Sequence, residues 1–241
     1  MTTSPTKHHQ DFTYRGESMT RVETFVAAAF AFAVTMLVIS VGAIPQNIDE
    51  FIIACKQIPA FAASFAVLTR IWHTHAVWSR RYGLEDAWTI VMSCALIFLV
   101  LIYVYPLRFM MESLFALISG GFFPRSMSFN EDWQVRFVFG FYAVGFMLLC
   151  LNFIALYAYA SRQALRPEMS AIERFDCNTE IYSWSATFTI SSLSLILSIA
   201  LPMEQMQFAG FIYFMLFPVL TIQGFMRGNK RRTLSRGERV T

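Results

Sequence analysis

The sequence predicts an all-α, polytopic membrane protein with six transmembrane helices. Its 241 residues are 56% hydrophobic and only 15% charged, whereas a soluble domain of this length carries about 25% charged residues. A membrane helix needs about 20 predominantly apolar residues, and the chain contains six segments of that kind. The lysines and arginines are also distributed unevenly among the links between those segments. Together these observations place most of the chain in lipid.

The predicted spans form one membrane domain, residues 21–226, between two polar tails, residues 1–20 and 227–241. The spans cover residues 24–42, 51–72, 87–105, 135–160, 184–201 and 208–226. A polar tail precedes the first span and no small-residue cleavage site follows it, so this span is not predicted to be a signal peptide. After the third span, "LRFMMESLFALISGGFFP" predicts either a continuation of the same helix or an interfacial amphipathic helix.

The positive charges indicate how the spans are oriented. With six spans, 15 of the 19 lysines and arginines fall in the two tails or around the links after spans two and four. Cytoplasmic flanks are enriched in these residues, so we predict a multi-pass membrane protein with both termini in the cytoplasm. The basic tail is expected to lie against anionic lipid headgroups. Nucleic-acid binding is a weak alternative, because the net charge is only +3.

Several classes of function lack their sequence signatures. The chain has no glycine-rich phosphate loop, no Ser/His/Asp set and no HExxH motif, so no enzyme is predicted. The centres of the spans carry no Asp, Glu, Lys or Arg, whereas pumps and ion-coupled transporters keep such groups near the midplane. No cysteine spacing suits a metal, and His73 and His75 do not share a helix face, so neither metal nor cofactor is predicted. A passive pore, a sensor or a scaffold remains.

The first span, "RVETFVAAAFAFAVTMLVIS", carries two stripes of apolar and small side chains at helical spacing. One stripe consists of Phe25, Ala28, Phe32, Thr35, Met36 and Ile39, and the other of Ala27, Ala31, Val34 and Val38. The simpler interpretation is a central helix that packs closely against its neighbours through small residues. In the alternative interpretation, the first stripe faces a pore and its bulky rings form a hydrophobic constriction.

The first two spans resemble the transmembrane protein 175 family of potassium channels. The family's first helix has an arginine, a phenylalanine, an alanine-containing run with threonine, and a later proline. The residues in register with it are Arg21, Glu23, Phe25, Phe30, Ala31, Ala33, Thr35, Leu37 and Pro45. In the second span, Ser64, Phe65, Trp72 and His75 match the family's Ser-Phe and Trp-x-x-His. The resemblance covers residues 1–110, and the last three spans match in number and hydrophobicity.

The resemblance implies a homotetramer that conducts a monovalent cation through a pore lined by the first helix. The implied pore-lining residues are Phe32, Thr35, Met36 and Ile39. Thr35 would contact a partly dehydrated ion, and Phe32 occupies a position where the family usually has isoleucine or leucine. The resemblance also implies a polar network at the helix mouths, formed here by Arg21, Glu23, Trp72 and His75.

The chain departs from the family at a Ser-Asp-Gly triplet, which is replaced here by Val26, Ala27 and Ala28. In the family the aspartate of that triplet belongs to the polar network. Glu23 lies four positions before Ala27 and is expected to replace the missing carboxylate in part. The lost triplet favours a second hypothesis, a non-conducting membrane scaffold or sensor that retains the channel fold.

Overall fold

The computed structural model describes residues 19–40, 42, 44–163 and 170–238, with side chains up to residue 233. All regular structure in this part of the chain is helical. The helices are α1 (Arg21–Ile39), α2 (Ile48–Lys56), α3 (Ile58–Tyr82), α4 (Ala87–Ile118), α5 (Asp132–Gln163), α6 (Ala171–Ala200), α7 (Gln207–Phe211) and α8 (Leu216–Glu238), with 3-10 turns at Met203–Gln205 and Ile212–Met215. Most of the predicted tail 1–20 and the end of the tail 227–241 lie outside the described residues.

The prediction of an all-α membrane protein with six spans is confirmed. Four of the helices, α1, α4, α5 and α6, and the segment 203–233 are each long and apolar enough to cross a membrane. Helices α2 and α3 meet at a 40° bend and count as the sixth span when taken together. Helix α8 runs across residue 226, where the sequence suggested that the membrane domain ends.

The end of the second span is wrong in the prediction, because α3 continues for ten residues beyond residue 72. It ends where Gly83 adopts a left-handed conformation (φ 57°) and donates its N–H to the Ser79 carbonyl at 2.8 Å. Glycine adopts this conformation without the steric cost that a Cβ brings. His73 and His75 therefore lie within the helix rather than at its end, which brings His75 into the protein interior.

The third span is also longer than predicted. Helix α4 continues through Pro106 to Ile118, so the apolar segment after the span continues the same helix and is not a separate interfacial one. A proline inside a helix removes one backbone hydrogen bond and disturbs the preceding turn, but α4 is packed against α1, α3 and α5. It ends before Gly120 and Gly121, which both have positive φ.

The core runs along α4 and is completed by helices on both sides of it. Helices α1 and α3 pack on one side and α5 on the other, while α6 lies along α5. The largest fully buried side chains include Trp78, Tyr103, Phe153 and Tyr157. Asn152 of α5 donates to the Met92 carbonyl of α4 at 3.0 Å, which is the interhelical bond expected of a polar group in a membrane helix.

The serine- and threonine-rich face of α6 is an internal packing surface. Thr187, Ser191, Ser194 and Ser198 are all buried. Ser194 donates to the Ala209 carbonyl of α7 at 2.7 Å, and Thr187 donates to the Ser183 carbonyl of its own helix at 2.9 Å. Small hydroxyl side chains let helices approach closely and satisfy polar groups locally, so this face joins α6 to the broken last span.

Asp86 caps the start of α4, and its hydrogen bonds predict that the stability of the folded protein falls at acidic pH. Its Oδ1 accepts the Thr89 N–H at 2.9 Å, and Tyr159 of α5 donates to its Oδ2. Burial alone raises the pKa of Asp86, but these hydrogen bonds outweigh it and the net pKa is lowered. A carboxyl group whose pKa is lower in the folded state stabilises the protein at pH values above its ordinary pKa of about 4. This stabilisation is lost as the pH falls through the lowered folded-state pKa.

We expect Asp86→Ala to lower the stability by about 1 kcal/mol at pH 7, because a helix N-cap is lost. The difference from wild type, measured by thermal unfolding in detergent, should shrink as the pH is lowered toward 3. Asp86→Asn is the control, since asparagine also caps helices but does not titrate. A wild-type-to-alanine difference that stays constant with pH would contradict the assignment.

Candidate functional site

The first helix begins at a capped turn and is apolar on all sides beyond it. The Thr20 side chain accepts the Glu23 N–H at 3.0 Å, which satisfies one of the free donors at the helix start. At the other end, the Ser40 N–H donates to the Met36 carbonyl at 3.0 Å. No glycine or proline interrupts α1 between these ends, so the segment from Arg21 to Ile39 is one continuous helix.

One face of α1 is buried in the protomer, and it belongs to neither of the two predicted stripes. This face consists of Glu23, Val26, Phe30, Ala33 and Leu37, and it packs against α3 and α4. These five residues also have helical spacing. Because α1 is apolar on every side, the sequence does not show which of its faces turns toward the core. α1 is therefore anchored on one side only.

The opposite half of α1 forms the outer surface of the protomer. Phe32 is 56% exposed and Ile39 is 62% exposed, and Thr35 is exposed between them. Met36, the fourth predicted pore residue, is partly buried and packs against the core. Three of the four predicted pore residues thus share an outward face. The second predicted stripe, with Ala31 and Val38, also lies outside the core.

Thr35 offers an oxygen on this otherwise apolar face. Its hydroxyl donates to the Ala31 carbonyl at 3.0 Å, so the proton is directed back to the helix. The lone pairs of Oγ1 remain available as acceptors, and oxygen is the ligand type that alkali and alkaline-earth cations take. Among the described residues, no group of three His, Cys, Asp or Glu side chains is placed to hold a metal ion.

Two of the four residues of the predicted polar network have partners elsewhere in the protomer, and the other two are exposed. Glu23 Oε1 lies 3.6 Å from Arg80 Nε, and His75 Nε2 lies 3.0 Å from Ser93 Oγ. Arg21 and Trp72 are exposed on the outside of the protomer. A meeting of all four residues therefore stays a prediction. The sequence did not predict Arg80 or Ser93 as partners. The positions of Arg80 and of the α4 surface that faces α3 follow from the continuation of α3 beyond residue 72.

Comparisons with known proteins decide the lineage. The family model described as endosomal/lysosomal potassium channel TMEM175 matches residues 21–106. A potassium channel of Marivirga tractuosa is 30% identical over 232 residues, which are 93% of this chain and 94% of that protein. This chain belongs to the TMEM175 family. The last three spans, which the sequence matched to the family only by number and hydrophobicity, are included in that similarity.

Two solved TMEM175 structures share the architecture. A variant of the potassium channel MtTMEM175, crystallised with a nanobody–MBP fusion protein, superposes with a TM-score of 0.77 at 27% identity. That match covers 91% of this chain and 97% of the other. A lysosomal potassium-selective channel TMEM175 homologue from Chamaesiphon minutus has a TM-score of 0.56 at 18% identity, over 86% and 96% of the two chains. The second likeness supports the fold alone.

The residues at the three predicted triplet positions lie on different sides of α1. Val26 is buried in the core, Ala27 is partly buried and Ala28 is exposed. Glu23 lies one helical turn before Ala27 on the buried side, and its carboxylate faces Arg80 of α3. The α1–α3 contact at this end of the helix therefore contains a carboxylate, and its replacement of the family's aspartate stays a prediction.

A second polar site, missed by the sequence analysis, lies at the other end of α1. We call it the Arg108 cluster, and it consists of Ser40, Gln57, Arg108, Glu112 and Ser126. Arg108 donates to Ser40 Oγ at 2.7 Å and to Gln57 Oε1 at 3.0 Å, and its Nε lies 2.8 Å from Glu112 Oε1. The Ser126 N–H donates to Glu112 Oε2 at 3.1 Å, and so does the Ser126 hydroxyl.

The sequence contains a signal for this ion pair. An arginine and a glutamate four positions apart on a helix share a face, and Arg108 and Glu112 have that spacing. The third span was predicted to end at residue 105, and both residues lie in the segment after it, for which a continued helix and a separate interfacial helix were left open. The continuation of α4 past Pro106 to Ile118 places the pair on one face of that helix.

Proposed function

We propose that this protein is a potassium-type cation channel of the TMEM175 type, a homotetramer with α1 lining the pore. The observation that carries the proposal is the division of α1 into two faces. One face packs in the protomer core, and the other presents Phe32, Thr35 and Ile39 on the outer surface. Four copies arranged around an axis would cover this apolar face and enclose a narrow path.

The outward residues suit both a constriction and an ion contact. A ring of four Phe32 side chains would form a hydrophobic constriction that gates by dewetting. Thr35 lies one turn further along the same face and offers a hydroxyl oxygen that can replace part of an ion's hydration shell. Met36 is turned partly toward the core, so we assign it to the edge of the pore rather than to its lining.

The surroundings we propose are those of a bacterial inner membrane, with both termini in the cytoplasm and lipid around the tetramer. The start of the basic tail is helical and packs on α6, where Arg231 pairs with Asp176 at 2.9 Å. The Arg227 guanidinium lies 4.5 Å from the centre of the Tyr182 ring. These contacts hold the basic segment beside the membrane, where anionic headgroups attract positive side chains.

The alternative is a membrane scaffold or sensor that retains the channel fold without conducting. The observation that favours it is the triplet Val26, Ala27 and Ala28 in place of Ser-Asp-Gly. An apolar side chain has entered the core at the family's serine position, and the carboxylate has moved to Glu23. Both changes lie at the opposite end of α1 from Ile39, so they alter one helix mouth and leave the apolar outward face intact.

Ion flux through reconstituted protein tests the proposal. We expect wild-type protein in liposomes to pass potassium down a gradient faster than protein-free liposomes, and Thr35→Val to reduce the discrimination between potassium and sodium. Valine has the shape of threonine without the oxygen, so assembly should be unchanged by size-exclusion chromatography. Equal and negligible flux through wild type, Thr35→Val and protein-free liposomes would reject conduction and leave the scaffold.

A further inference from the structure

The Arg108 cluster joins four separate segments at the end of α1 that carries Ile39. Ser40 follows the last residue of α1, Gln57 is the bend between α2 and α3, and Ser126 lies in the link between α4 and α5. The Arg108 guanidinium contacts the first two of these and Glu112 at once. A planar guanidinium presents several donors in a fixed fork, so these distances fix the relative positions of the helix ends as well as supplying attraction.

Burial makes this arrangement sensitive to every contact. The Arg108 and Glu112 side chains are 4% and 1% exposed, so neither charge is solvated and each depends on the polar groups around it. Within α4, the ion pair alone would neutralise both charges. The bonds from Arg108 to Ser40 and Gln57 are additional to that neutralisation. They connect α4 to the end of α1 and to the bend of the second span.

In a tetramer, the Ile39 end of α1 is attracted toward the central axis, against the contacts that the Arg108 cluster makes with Ser40. Ile39 is adjacent to Ser40 and lies on the outward face, where four copies would surround the axis. Apolar groups attract one another when they leave water, so four Ile39 side chains favour a closed mouth. The contacts of Ser40 and of the buried face of α1 are made on the protomer side, with α4, and act in the opposite direction.

We propose that Arg108 is a positioning residue of the pore, which holds the Ile39 end of α1 away from the axis and keeps that mouth open. This inference rests on the proposed function, because it needs four copies of α1 around one axis. Arg108 does not touch the ion. It acts through Ser40 and Gln57, and Glu112 keeps its guanidinium in place while binding the link that contains Ser126.

Two sets of variants separate positioning from stability. Arg108→Lys keeps the charge for Glu112 but cannot span all three partners, because an ammonium is a compact point charge. Ser40→Ala combined with Gln57→Leu leaves the buried ion pair untouched and removes its contacts with α1 and the bend, together with the hydrogen bond from the Ser40 hydroxyl to the Leu37 carbonyl at 2.7 Å. Both should fold. Arg136→Lys is the matched control, because Arg136 donates to the Ser198 and Leu201 carbonyls at 2.9 and 2.8 Å, away from α1.

The first readout is potassium flux through reconstituted tetramers at equal protein density. A hydrogen bond to a charged group contributes enough free energy for about a tenfold change in an equilibrium. We therefore expect the Arg108→Lys variant and the Ser40/Gln57 double variant each to lose about tenfold of the wild-type flux. Arg136→Lys should conduct like wild type. Wild-type flux in both test variants, with tetramers intact, would overturn the inference and leave the proposed function standing.

The second readout does not depend on conduction. Spin labels at Val38→Cys, which is 51% exposed and leaves Ile39 in place, report distances between subunits at the Arg108 end of the pore. The exposed Cys55 and Cys94 are changed to serine, and labels at Thr24→Cys report the other end. We expect Arg108→Lys to shorten the distances at residue 38 and leave those at residue 24 unchanged. Unchanged distances at residue 38 would overturn the inference. Shortened distances in Arg108→Lys together with a wild type that does not conduct would reject conduction and retain the positioning role.

Discussion

Phe32→Ala is expected to raise cation flux by about tenfold or more, because a fall of about 1.4 kcal/mol in a barrier is already a tenfold change in rate. Phe32 is 56% exposed on the outward face of α1. In a tetramer the substitution would remove four rings from one level of the pore. Dewetting depends on the radius and on the apolar lining, so a wider constriction should fill with water. The measurement is potassium flux in liposomes at matched protein density.

Phe30→Ala is the matched control for this experiment. It is the same substitution two residues earlier on the same helix, but Phe30 is buried against the core. Removal of a buried phenylalanine side chain costs about 3–5 kcal/mol of stability, so this variant should melt earlier without conducting faster. If Phe32→Ala instead behaves like Phe30→Ala, with lower stability and unchanged flux, Phe32 is a packing residue and the pore assignment is wrong.

Gly145→Ala is expected to destabilise the protein although alanine is the better helix former. A Cβ at this position of α5 would lie 2.8 Å from Cδ2 of Tyr103. The Tyr103 ring is buried and is flanked by the rings of Tyr142 and Phe146, with centroids 5.2 and 6.1 Å away. It cannot turn aside without moving its neighbours, and overpacking of this kind costs about 1–3 kcal/mol.

Gly140→Ala, in the same helix, should have the opposite sign. Its Cβ would meet only Leu195 Cδ1, at 3.8 Å, which is an ordinary contact. The gain in helix propensity is up to about 1 kcal/mol. Thermal unfolding in detergent should therefore rank Gly140→Ala at or above wild type and Gly145→Ala below it. Equal melting temperatures for the two variants would mean that α4 and α5 are not packed as closely as described.

The sequence predicted the number of spans and the nature of the fold because both depend on summed apolar character, which is local. It failed at the helix ends. The second span was predicted to end at residue 72, yet α3 continues to Tyr82, because Trp78 and Tyr82 in its last turns are buried among other helices. For the third span, the sequence left open whether the helix ends at Pro106 or continues beyond it, and packing against α1, α3 and α5 maintains α4 through this proline.

The two faces of α1 were predicted in part. The outward placement of Phe32, Thr35 and Ile39 agrees with their grouping in one stripe. The core face that contains Val26 and Phe30 was not foreseen, because a helix that is apolar all round has no contrast to show which side turns inward. Charge partners such as Arg80 were not foreseen either, since they belong to a different helix and pairing across helices needs the fold.

The division of α1 into a core face and an outward face means that natural selection acts on substitutions in the two faces in different ways. Substitutions at Val26, Phe30, Ala33 or Leu37 alter the protomer core, so they are screened first for whether the subunit folds. Substitutions at Phe32, Thr35 or Ile39 do not touch that core and reach the membrane in a folded subunit. Their effect is tested only by what the assembly does. If α1 lines the pore as proposed, a lineage with this architecture can change its permeation properties, or lose them, by single substitutions that leave the fold intact.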